Sequence, residues 1–287
     1  MVSVKENAYL RVSSAGSGNS LMIGADKGSG SVSAFINPPA RSSNGIFYIS
    51  FDITADNISN GEMYLSLRSA NAGSNNSYDL FKLKSDGKIE YFSGNIDRDG
   101  NSAARYSEIK TGETKNIGIL CNTRTKTAAA YENGFLIGGV ADCSLVSKEN
   151  KRPSFDNFYA RFYMTSKDEY SIRIDNITAV EMREQIRDLL AGQLLIKVGD
   201  MFKTKYLFIN NTNDEITGQL ITAMYNNDIL YDLKVDPIVL ENNKLTMYLQ
   251  DVEVIPEKQV KELKVYTMSD SIVPLMKPVQ GSNIICE

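Results

Sequence analysis

Tyrosine and arginine alternate along one segment of this chain, and these residue types together can hold a carbohydrate. Tyr159, Arg161 and Tyr163 are spaced two residues apart, so in an extended strand their side chains share one face. Tyrosine rings can stack on sugar rings, and arginine donates forked hydrogen bonds to hydroxyls or uronate carboxylates. Tyr64 and Arg68 supply the same chemistry on a second segment. The sequence therefore predicts a ligand-binding face formed by these five residues.

The same residues also have a purely structural interpretation. Tyrosine and arginine commonly coat the solvent face of a sheet, because aromatic residues have high β-propensity. A shift of the strand register by one residue would reverse which face is buried. The polar-side positions of the predicted strands carry seven such residues: Tyr48, Tyr64, Arg68, Tyr159, Arg161, Tyr163 and Arg173.

Histidine and tryptophan are both absent from the 287 residues. Without histidine there is no Ser-His-Asp triad, no Cys-His dyad and no HExxH zinc site. Without tryptophan the strongest aromatic platform for a sugar or a cation is missing. The net charge of −4 gives no electrostatic reason to expect nucleic acid or an anionic membrane as partner. Since the apolar segments are also shorter than the roughly 20 residues of a membrane-spanning helix, we expect no membrane insertion.

The elements that position these residues follow a period of two. Apolar and polar residues alternate over four segments, as in strands with one buried face: Phe47–Thr54, Met63–Arg68, Phe158–Met164 and Ile172–Asp175. Asp86-Gly87 and Asn133-Gly134 lie between further strand segments and predict hairpins with type I′ turns. Strands every 10–12 residues or so, with turns between them, indicate an antiparallel sandwich or jelly roll.

A second β domain is predicted after a short helix. Val180–Leu190 places Met182, Ile186, Leu189 and Leu190 on one side of a helix, and Gly192 follows as a stop signal. The strand pattern resumes beyond it. We therefore predict a first domain over 1–183, a helical linker over 184–194 and a second sandwich over 195–287, with the boundary near 183–195.

The first 180 residues resemble the concanavalin A-like (LamG-type) jelly-roll modules of secreted bacterial carbohydrate-active proteins. The matching segments include "NAYLRVSS", "IFYISFDITAD", "LFKLKSDGKIEYF", "YENG" and "RIDNI", in that order. The family also carries an aromatic Trp-Tyr pair before the "YENG" hairpin, where this chain has "KTGETKNI". The resemblance implies a jelly roll whose ligands would be polysaccharides or cell-wall glycans.

Residues 195–287 resemble an Ig-like or fibronectin-like module that accompanies catalytic and binding domains in bacterial surface proteins. The match runs through "YLFINNTNDEITGQLITAMYNNDILYDLKV" and "VKELKVYTMSDSIVPLMKPV", and Met268 stands where the family has tryptophan. The fold class expected for the whole chain is thus all-β, a concanavalin A-like jelly roll followed by an Ig-like β-sandwich. The second module would act as a spacer beside other modules of a larger parent protein.

The first resemblance also implies a structural calcium ion. In such jelly rolls an acidic residue near the end of the last strand, here Asp175, joins oxygen ligands from the opening segment, here Glu6 or Asn7. Calcium prefers such a mixture of carboxylate and carbonyl oxygens. The alternative is a surface aspartate that forms a turn hydrogen bond with Asn176.

The motifs of catalytic jelly rolls are absent from this sequence. A jelly-roll hydrolase of the laminarinase type would carry a Glu-x-Asp-x-x-Glu strand with its two carboxylates on one face, and no such run occurs here. An alginate-type lyase would need a histidine. A lyase that uses only Tyr163 and Arg161 remains as a weaker alternative.

We therefore predict a non-catalytic, lectin-like module of a secreted or cell-surface bacterial protein. We expect no signal peptide at the start of this sequence, because Lys5, Glu6 and Arg11 interrupt the segment that should be apolar. The alternatives are a structural or adhesive surface or phage-appendage protein that makes protein–protein contacts, and a polysaccharide lyase or hydrolase.

Overall fold

The chain folds into β-strands, and it divides into two compact units, Met1–Glu181 and Met182–Glu287. The structure, a computed structural model, describes residues 2–15, 18–36, 46–69, 77–93, 102–122, 127–142, 158–186, 189–198, 201–226, 229–242, 244–253, 262–269, 279–280 and 284–286. Within these ranges the regular elements are all strands, and none is a helix that could cross a membrane.

The first unit contains thirteen strands in the described residues. They are β1 (Val2–Ala15), β2 (Gly18–Ile36), β3 (Ile46–Asn57), β4 (Gly61–Ser69), β5 (Ser77–Leu83), β6 (Lys88–Tyr91), β7 (Arg105–Glu108), β8 (Thr114–Asn122), β9 (Thr127–Glu132), β10 (Phe135–Leu136), β11 (Ala141–Asp142), β12 (Phe158–Ser166) and β13 (Tyr170–Glu181).

These strands form two antiparallel sheets that share the long β1–β2 hairpin. The second half of β2 pairs with β12, and the order continues through β4, β5, β6 and β7. We call this the front sheet. The first half of β2 pairs with β13, and the order continues through β3, β8 and β9, where β10 and β11 also pair. We call this the back sheet. Because late strands lie beside early ones in both sheets, the unit is a jelly-roll sandwich.

A bend in the shared hairpin lets it serve both sheets. The β1–β2 register shifts between Glu6 and Ala8, where Asn7 alone faces the four residues Asp26–Ser29, which marks a bulge in β2. Opposite this point Gly28 has a φ of 101°, a conformation open to glycine but costly for residues with a Cβ. Glycine is therefore required where the hairpin passes from one sheet to the other.

The alternation seen in the sequence buries one face of each sheet. Phe51 and Ile53 are fully buried in the core between the sheets, whereas Asp52 and Thr54 are half-buried. The Phe51 ring packs edge-on against Phe81, at 5.5 Å between ring centroids. The predicted strands of this unit are confirmed, because a period of two is what a one-sided core imposes.

One of the two predicted turns differs in type. Asn133 and Gly134 both have positive φ, 50° and 85°, as a type I′ turn requires. In the other hairpin Gly87 alone has positive φ, 83°, and its N–H donates to the carbonyl of Lys84 at 3.0 Å. The turn therefore closes over Ser85 and Asp86, with Gly87 following as a bulge.

The second unit contains nine strands in the described residues. They are β14 (Arg183–Ile186), β15 (Leu189–Val198), β16 (Met201–Asn210), β17 (Ile216–Asn226), β18 (Ile229–Leu240), β19 (Lys244–Glu253), β20 (Glu262–Ser269), β21 (Val279–Gln280) and β22 (Ile284–Cys286). One sheet has the order β14–β15–β16–β19, with β22 parallel to β15. The other has the order β18–β17–β20–β21. Its core includes Tyr206, Phe208, Leu220, Ile238 and Leu240.

The predicted helix over Val180–Leu190 is wrong, because the described residues of this segment other than Met182 lie in strands β13, β14 and β15. The physical reason is a register shift between Glu184 and Ile186 in the β14–β15 pair. An extra residue at a bulge breaks strict alternation, and the apolar spacing then imitates a helical period. The described residues of the linker predicted over 184–194 are thus strand, and the units divide at 181/182 rather than at 183. The Ig-like character of the second unit stays a prediction.

Candidate functional site

The outer face of the front sheet brings two of the predicted tyrosines side by side. Phe162 and Met164 on β12 are buried, so the alternate residues Arg161 and Tyr163 project from the opposite face. Tyr163 pairs in register with Tyr64 on β4, and their ring centroids are 6.1 Å apart. The register thus unites residues from two segments that are distant in the sequence.

A positive charge lies against each of these rings. The guanidinium carbon of Arg161 is 4.7 Å from the centroid of the Tyr163 ring. Lys82 on β5, the register partner of Tyr64, places its ammonium 5.0 Å from the centroid of the Tyr64 ring. Both distances lie within the range of cation–π attraction, which holds the rings and the cations in fixed relative positions.

Glu62 completes this group on β4. The Tyr64 hydroxyl donates a hydrogen bond to the Glu62 carboxylate, and the Lys82 ammonium lies 3.2 Å from a Glu62 oxygen. Glu62, Tyr64, Lys82, Arg161 and Tyr163 are from here on called the tyrosine row. It offers aromatic faces, hydrogen-bond donors and one acceptor across three neighbouring strands.

The pKa values keep Glu62 and Lys82 charged at neutral pH. Burial alone would raise the pKa of Glu62, but hydrogen bonds from Tyr64 and Lys82 together hold it below its usual value. Burial alone would lower the pKa of Lys82, and its bonds to Tyr64 and Glu62 outweigh this and raise it. Burial and the neighbouring carboxylate raise the pKa of the Tyr64 hydroxyl, which therefore stays protonated as a donor.

Sequence reasoning did not find Glu62 or Lys82. Both occupy outward positions of strands with clear alternation, "EMYLSL" and "LFKL", so their exposure was predictable. Their proximity to the tyrosines was not, because it depends on the pairing of β4 with both β5 and β12.

The remaining predicted residues of this face lie at the other end of the same strands. Tyr159 on β12 pairs in register with Arg68 on β4. Their side chains lie outside the described residues. The backbone therefore aligns all five predicted positions along β4 and β12, and the tyrosine row forms at one end of that line.

Tyrosine and arginine on the back sheet have structural partners. Tyr48 is fully buried. Arg173 forms a two-pronged ion pair with Asp56, with nitrogen–oxygen distances of 2.9 and 2.8 Å, and this pairing raises the pKa of Arg173. Arg173 thus fits the structural interpretation of the sequence pattern. The prediction that Tyr48 lies on a polar face is wrong, because its ring is buried beside that of Tyr131, at 6.5 Å between ring centroids.

The predicted calcium ligand Asp175 lies at a bulge in the middle of β13. Its carboxylate accepts a hydrogen bond of 2.7 Å from the backbone N–H of Asn176, which has a φ of 50°. The Asn176 side chain donates to Asp52 at 2.6 Å, and Asn116 donates to the other Asp52 oxygen at 2.6 Å. The turn hydrogen bond considered as the alternative role for Asp175 is thus present.

The strand register separates Asp175 from Glu6. Ile174 pairs with Leu21, and Leu21 pairs with Val12 on β1, whereas Glu6 pairs with Gly30. Six residues of β1 span about 20 Å when extended. The Glu6 side chain lies outside the described residues, and among those described no group of three or more Asp, Glu, Cys or His side chains could hold a metal. The calcium ion therefore stays a prediction.

Comparison with known proteins identifies no sequence family for the chain. No family model matches it, and no curated protein matches it. Similar solved structures include a protein named sialidase, with 14% identity and a TM-score of 0.44, over 62% of this chain and 16% of that one. A Bacteroides ovatus GH16 protein from a mixed-linkage glucan PUL has 8% identity and a TM-score of 0.39, over 59% of this chain and 84% of that one.

A family 11 carbohydrate-binding module from Clostridium thermocellum, solved with a mixed-linked tetrasaccharide, has 14% identity and a TM-score of 0.31. It matches over 62% of this chain and 85% of its own length. Since all three TM-scores lie below 0.5, these likenesses carry no argument about function, which must be argued from the site itself.

Proposed function

We propose that the first unit is a non-catalytic carbohydrate-binding module that holds a polysaccharide or cell-wall glycan on the outer face of its front sheet. The observation that carries this proposal is the tyrosine row. Two tyrosine rings 6.1 Å apart, each with a cation against it, supply the apolar and the charged contacts that a sugar chain requires.

The proposed contacts divide between the two kinds of group. Tyr163 and Tyr64 would pack against the apolar faces of sugar rings. Both tyrosine rings are half-buried, and each packs beside the other. Arg161 and Lys82 would donate to hydroxyl or carboxylate oxygens, and Glu62 would accept from hydroxyls. Because the row is already bonded together in the free protein, little ordering is needed on binding.

The state of Glu62 favours binding over hydrolysis. A glycosidase needs a carboxylic acid with a raised pKa to protonate the leaving oxygen. The pKa of Glu62 is instead lowered by its bonds to Tyr64 and Lys82. We propose on this ground that the row binds glycan without cleaving it.

The wider setting is proposed with the module. It would belong to a secreted or cell-surface bacterial protein, in which the second unit serves as an Ig-like spacer next to further modules. A structural calcium ion at Asp175 stays a prediction as well, and a lower melting temperature in EGTA would support it.

Glycan arrays and pull-down on insoluble polysaccharides test the binding proposal with the full chain. We expect saturable binding that Tyr163→Ala and Arg161→Ala each weaken about five- to tenfold, because each removes one half of a stacked pair. Both variants should keep the melting temperature.

Arg11→Ala is the matched control for Arg161→Ala. Arg11 stacks on Tyr9 at 4.4 Å from the ring centroid, so the same kind of pair is broken on β1 instead of β12. Binding should be unchanged in this variant. An absence of binding above background, with or without calcium, would end the proposal, and so would equal losses in the two arginine variants. Release of reducing ends or of ultraviolet-absorbing unsaturated products would show an enzyme instead.

A structural or adhesive role is the second candidate, and one feature of β18 favours it. Five apolar side chains of this strand are between 44% and 70% exposed: Ile229, Leu230, Leu233, Val235 and Val239. An exposed apolar stripe of this kind is typical of a protein–protein contact. Binding to no glycan, together with concentration-dependent association, would favour this candidate over the first.

A further inference from the structure

Three turns at one end of the first unit line an open cavity of about 410 Å³. They are the connections β3–β4, β5–β6 and β7–β8, which line the cavity through residues 57–59, 85–86 and 108–111. We call this the end cavity. Its volume lies within the range of small-ligand sites, roughly 300–1,000 Å³, and it does not include any residue of the tyrosine row.

The walls of the end cavity are held together by backbone hydrogen bonds between the turns. The Ile109 N–H donates to the Gly87 carbonyl at 2.8 Å, which joins the second and third turns. The Gly112 N–H donates to the Ala55 carbonyl at 2.6 Å, which joins the third turn to the end of β3. A Cβ at Gly87 would lie closer than 3.0 Å to the Ile109 carbonyl oxygen, so glycine permits this close approach.

Side-chain bonds fix the individual turns as well. Asp86 accepts from the Lys88 N–H at 2.9 Å, and Glu113 accepts from the Lys110 N–H at 2.9 Å. The Ser59 hydroxyl donates to the Asn57 side chain at 3.1 Å. A ligand would therefore meet a preformed cavity and would have little ordering cost to offset.

The lining combines an apolar floor with a polar rim. Ile58 and Ile109 are buried, at 5% and 2% exposure. The rim carries the carboxylates of Asp86 and Glu108 and the ammonium of Lys110, all exposed, together with hydroxyl groups. Two negative charges against one positive charge favour a ligand cation over an anion, and the hydroxyls suit a ligand with several hydroxyl groups.

From this combination we propose that the end cavity is a second ligand site, which takes a small hydroxyl-bearing ammonium compound. The ammonium group lies between Asp86 and Glu108, and the carbon skeleton packs on Ile58 and Ile109. An amino sugar and a simple amino alcohol share this chemistry. The inference does not depend on glycan binding at the tyrosine row.

Nuclear magnetic resonance titration of the ¹⁵N-labelled full chain tests the proposal with three probes: glucosamine, ethanolamine and glucuronate. We expect saturable shifts with glucosamine at the backbone amides of residues 57–59, 85–86 and 108–111. Glucuronate should bind more weakly. Weaker binding of ethanolamine than of glucosamine would show that the hydroxyls contribute, and equal affinity would overturn that part of the proposal.

Two variants locate the site. Glu108→Gln should raise the Kd for glucosamine about two- to fivefold, as expected for the loss of one exposed charge pair. Thr111→Tyr should abolish the shifts, because its ring fills the cavity from an exposed rim position. The matched control Glu215→Gln changes an exposed glutamate of the second unit and should leave the Kd unchanged.

Three results would overturn the proposal: no saturable shifts with glucosamine, equal affinity for glucuronate, or shifts that persist in Thr111→Tyr. Arg161→Ala, which removes a cation of the tyrosine row, should have no effect on glucosamine binding. A failure of the end-cavity proposal is therefore distinguishable from a failure of the glycan-binding proposal.

Discussion

At the residue scale, Glu132 holds a buried carboxylate that links the two sheets of the first unit. It accepts hydrogen bonds from the Tyr91 hydroxyl at 2.7 Å and from the Ser107 hydroxyl, both on the front sheet. The ammonium of Lys115 on the back sheet lies 2.8 Å away. Burial, followed by the charge of Glu132, raises the pKa of Tyr91, so that its hydroxyl remains a donor.

Removal of this carboxylate should destabilise the first unit strongly. Glu132→Ala leaves a buried hydroxyl and a largely buried ammonium without their partner, which costs about 3 kcal/mol. For a unit of this size the melting temperature should fall by about 10 °C, measured by circular dichroism. Glu108→Ala, an exposed glutamate next to Ser107, should change it little. An unchanged melting temperature in Glu132→Ala would contradict the role given to this carboxylate.

The tyrosine row should add a small pH-dependent contribution to stability. The pKa of Glu62 is lowered from 4.5 in the folded protein. Its contribution is therefore fully present above pH 4.5 and is lost as the pH falls through the lower folded value. Because the Glu62 side chain is 35% exposed, this amounts to less than about 1 kcal/mol.

In Glu62→Gln the melting temperature should fall less steeply than in the unmodified chain as the pH is lowered from neutral to below 4.5. On the alkaline side, the raised pKa of Lys82 keeps its contribution present below pH 10.5 and loses it above that value. Glu108→Gln serves as the control on an exposed glutamate. An acid-side profile of Glu62→Gln identical to that of the unmodified chain would contradict the hydrogen-bonded state of Glu62.

At the scale of the element, β18 is an apolar strand that is protected against pairing with another strand. In the described residues it pairs along its length with β17 alone. The Leu233 N–H donates to the Asp232 carboxylate at 2.8 Å, and the Val239 N–H donates to the Tyr248 hydroxyl at 2.6 Å. Pro237, two residues before Val239, lacks a backbone N–H at the same free edge of the strand. Such features block the addition of a further strand.

Pro237→Val should therefore increase self-association, measured by sedimentation velocity over a range of concentrations. The change restores an N–H at the free edge and enlarges the apolar stripe. Gln219→Val is the matched control, because Gln219 pairs with Pro237 on β17 and is also exposed. It adds the same side chain without a new edge donor and should associate less. Equal association of the two variants would show that the edge donor is unimportant.

The segment around the unit boundary shows how far element types follow from the sequence. Strands with strict alternation, such as Phe47–Thr54, were predicted correctly because alternation is a local consequence of one-sided burial. The pattern of Val180–Leu190 was ambiguous, since a bulge spaces apolar residues as a helix does. Only the pairing of β14 with β15 resolves it.

At the scale of the whole molecule, the chain divides into two compact units. Among the described residues, one core cluster runs from Ile23 to Ile174 within the first unit, and another runs from Tyr206 to Leu240 within the second. The binding sites proposed here both lie within the first unit. Folding and binding by that unit should therefore not need the second.

The fragment of residues 1–181 should accordingly fold by itself. We expect one cooperative thermal transition by circular dichroism, together with the same glucosamine-induced amide shifts at the end cavity that the full chain gives. The fragment 182–287 is the control and should give no such shifts. A fragment 1–181 without a cooperative transition would show that the first core is insufficient.

The sequence by itself determined the all-β class and the buried faces of the well-alternating strands. These properties are local, since each follows from the spacing of apolar residues and from turn residues such as Asn133-Gly134. Only the tertiary structure decided that Tyr64 packs beside Tyr163 and that Glu62 and Lys82 lie next to them. It also decided that the strand register separates Asp175 on β13 from Glu6 on β1. The physical reason is that strand register between distant segments is set by the packing of the whole sandwich, and no short stretch of sequence contains it.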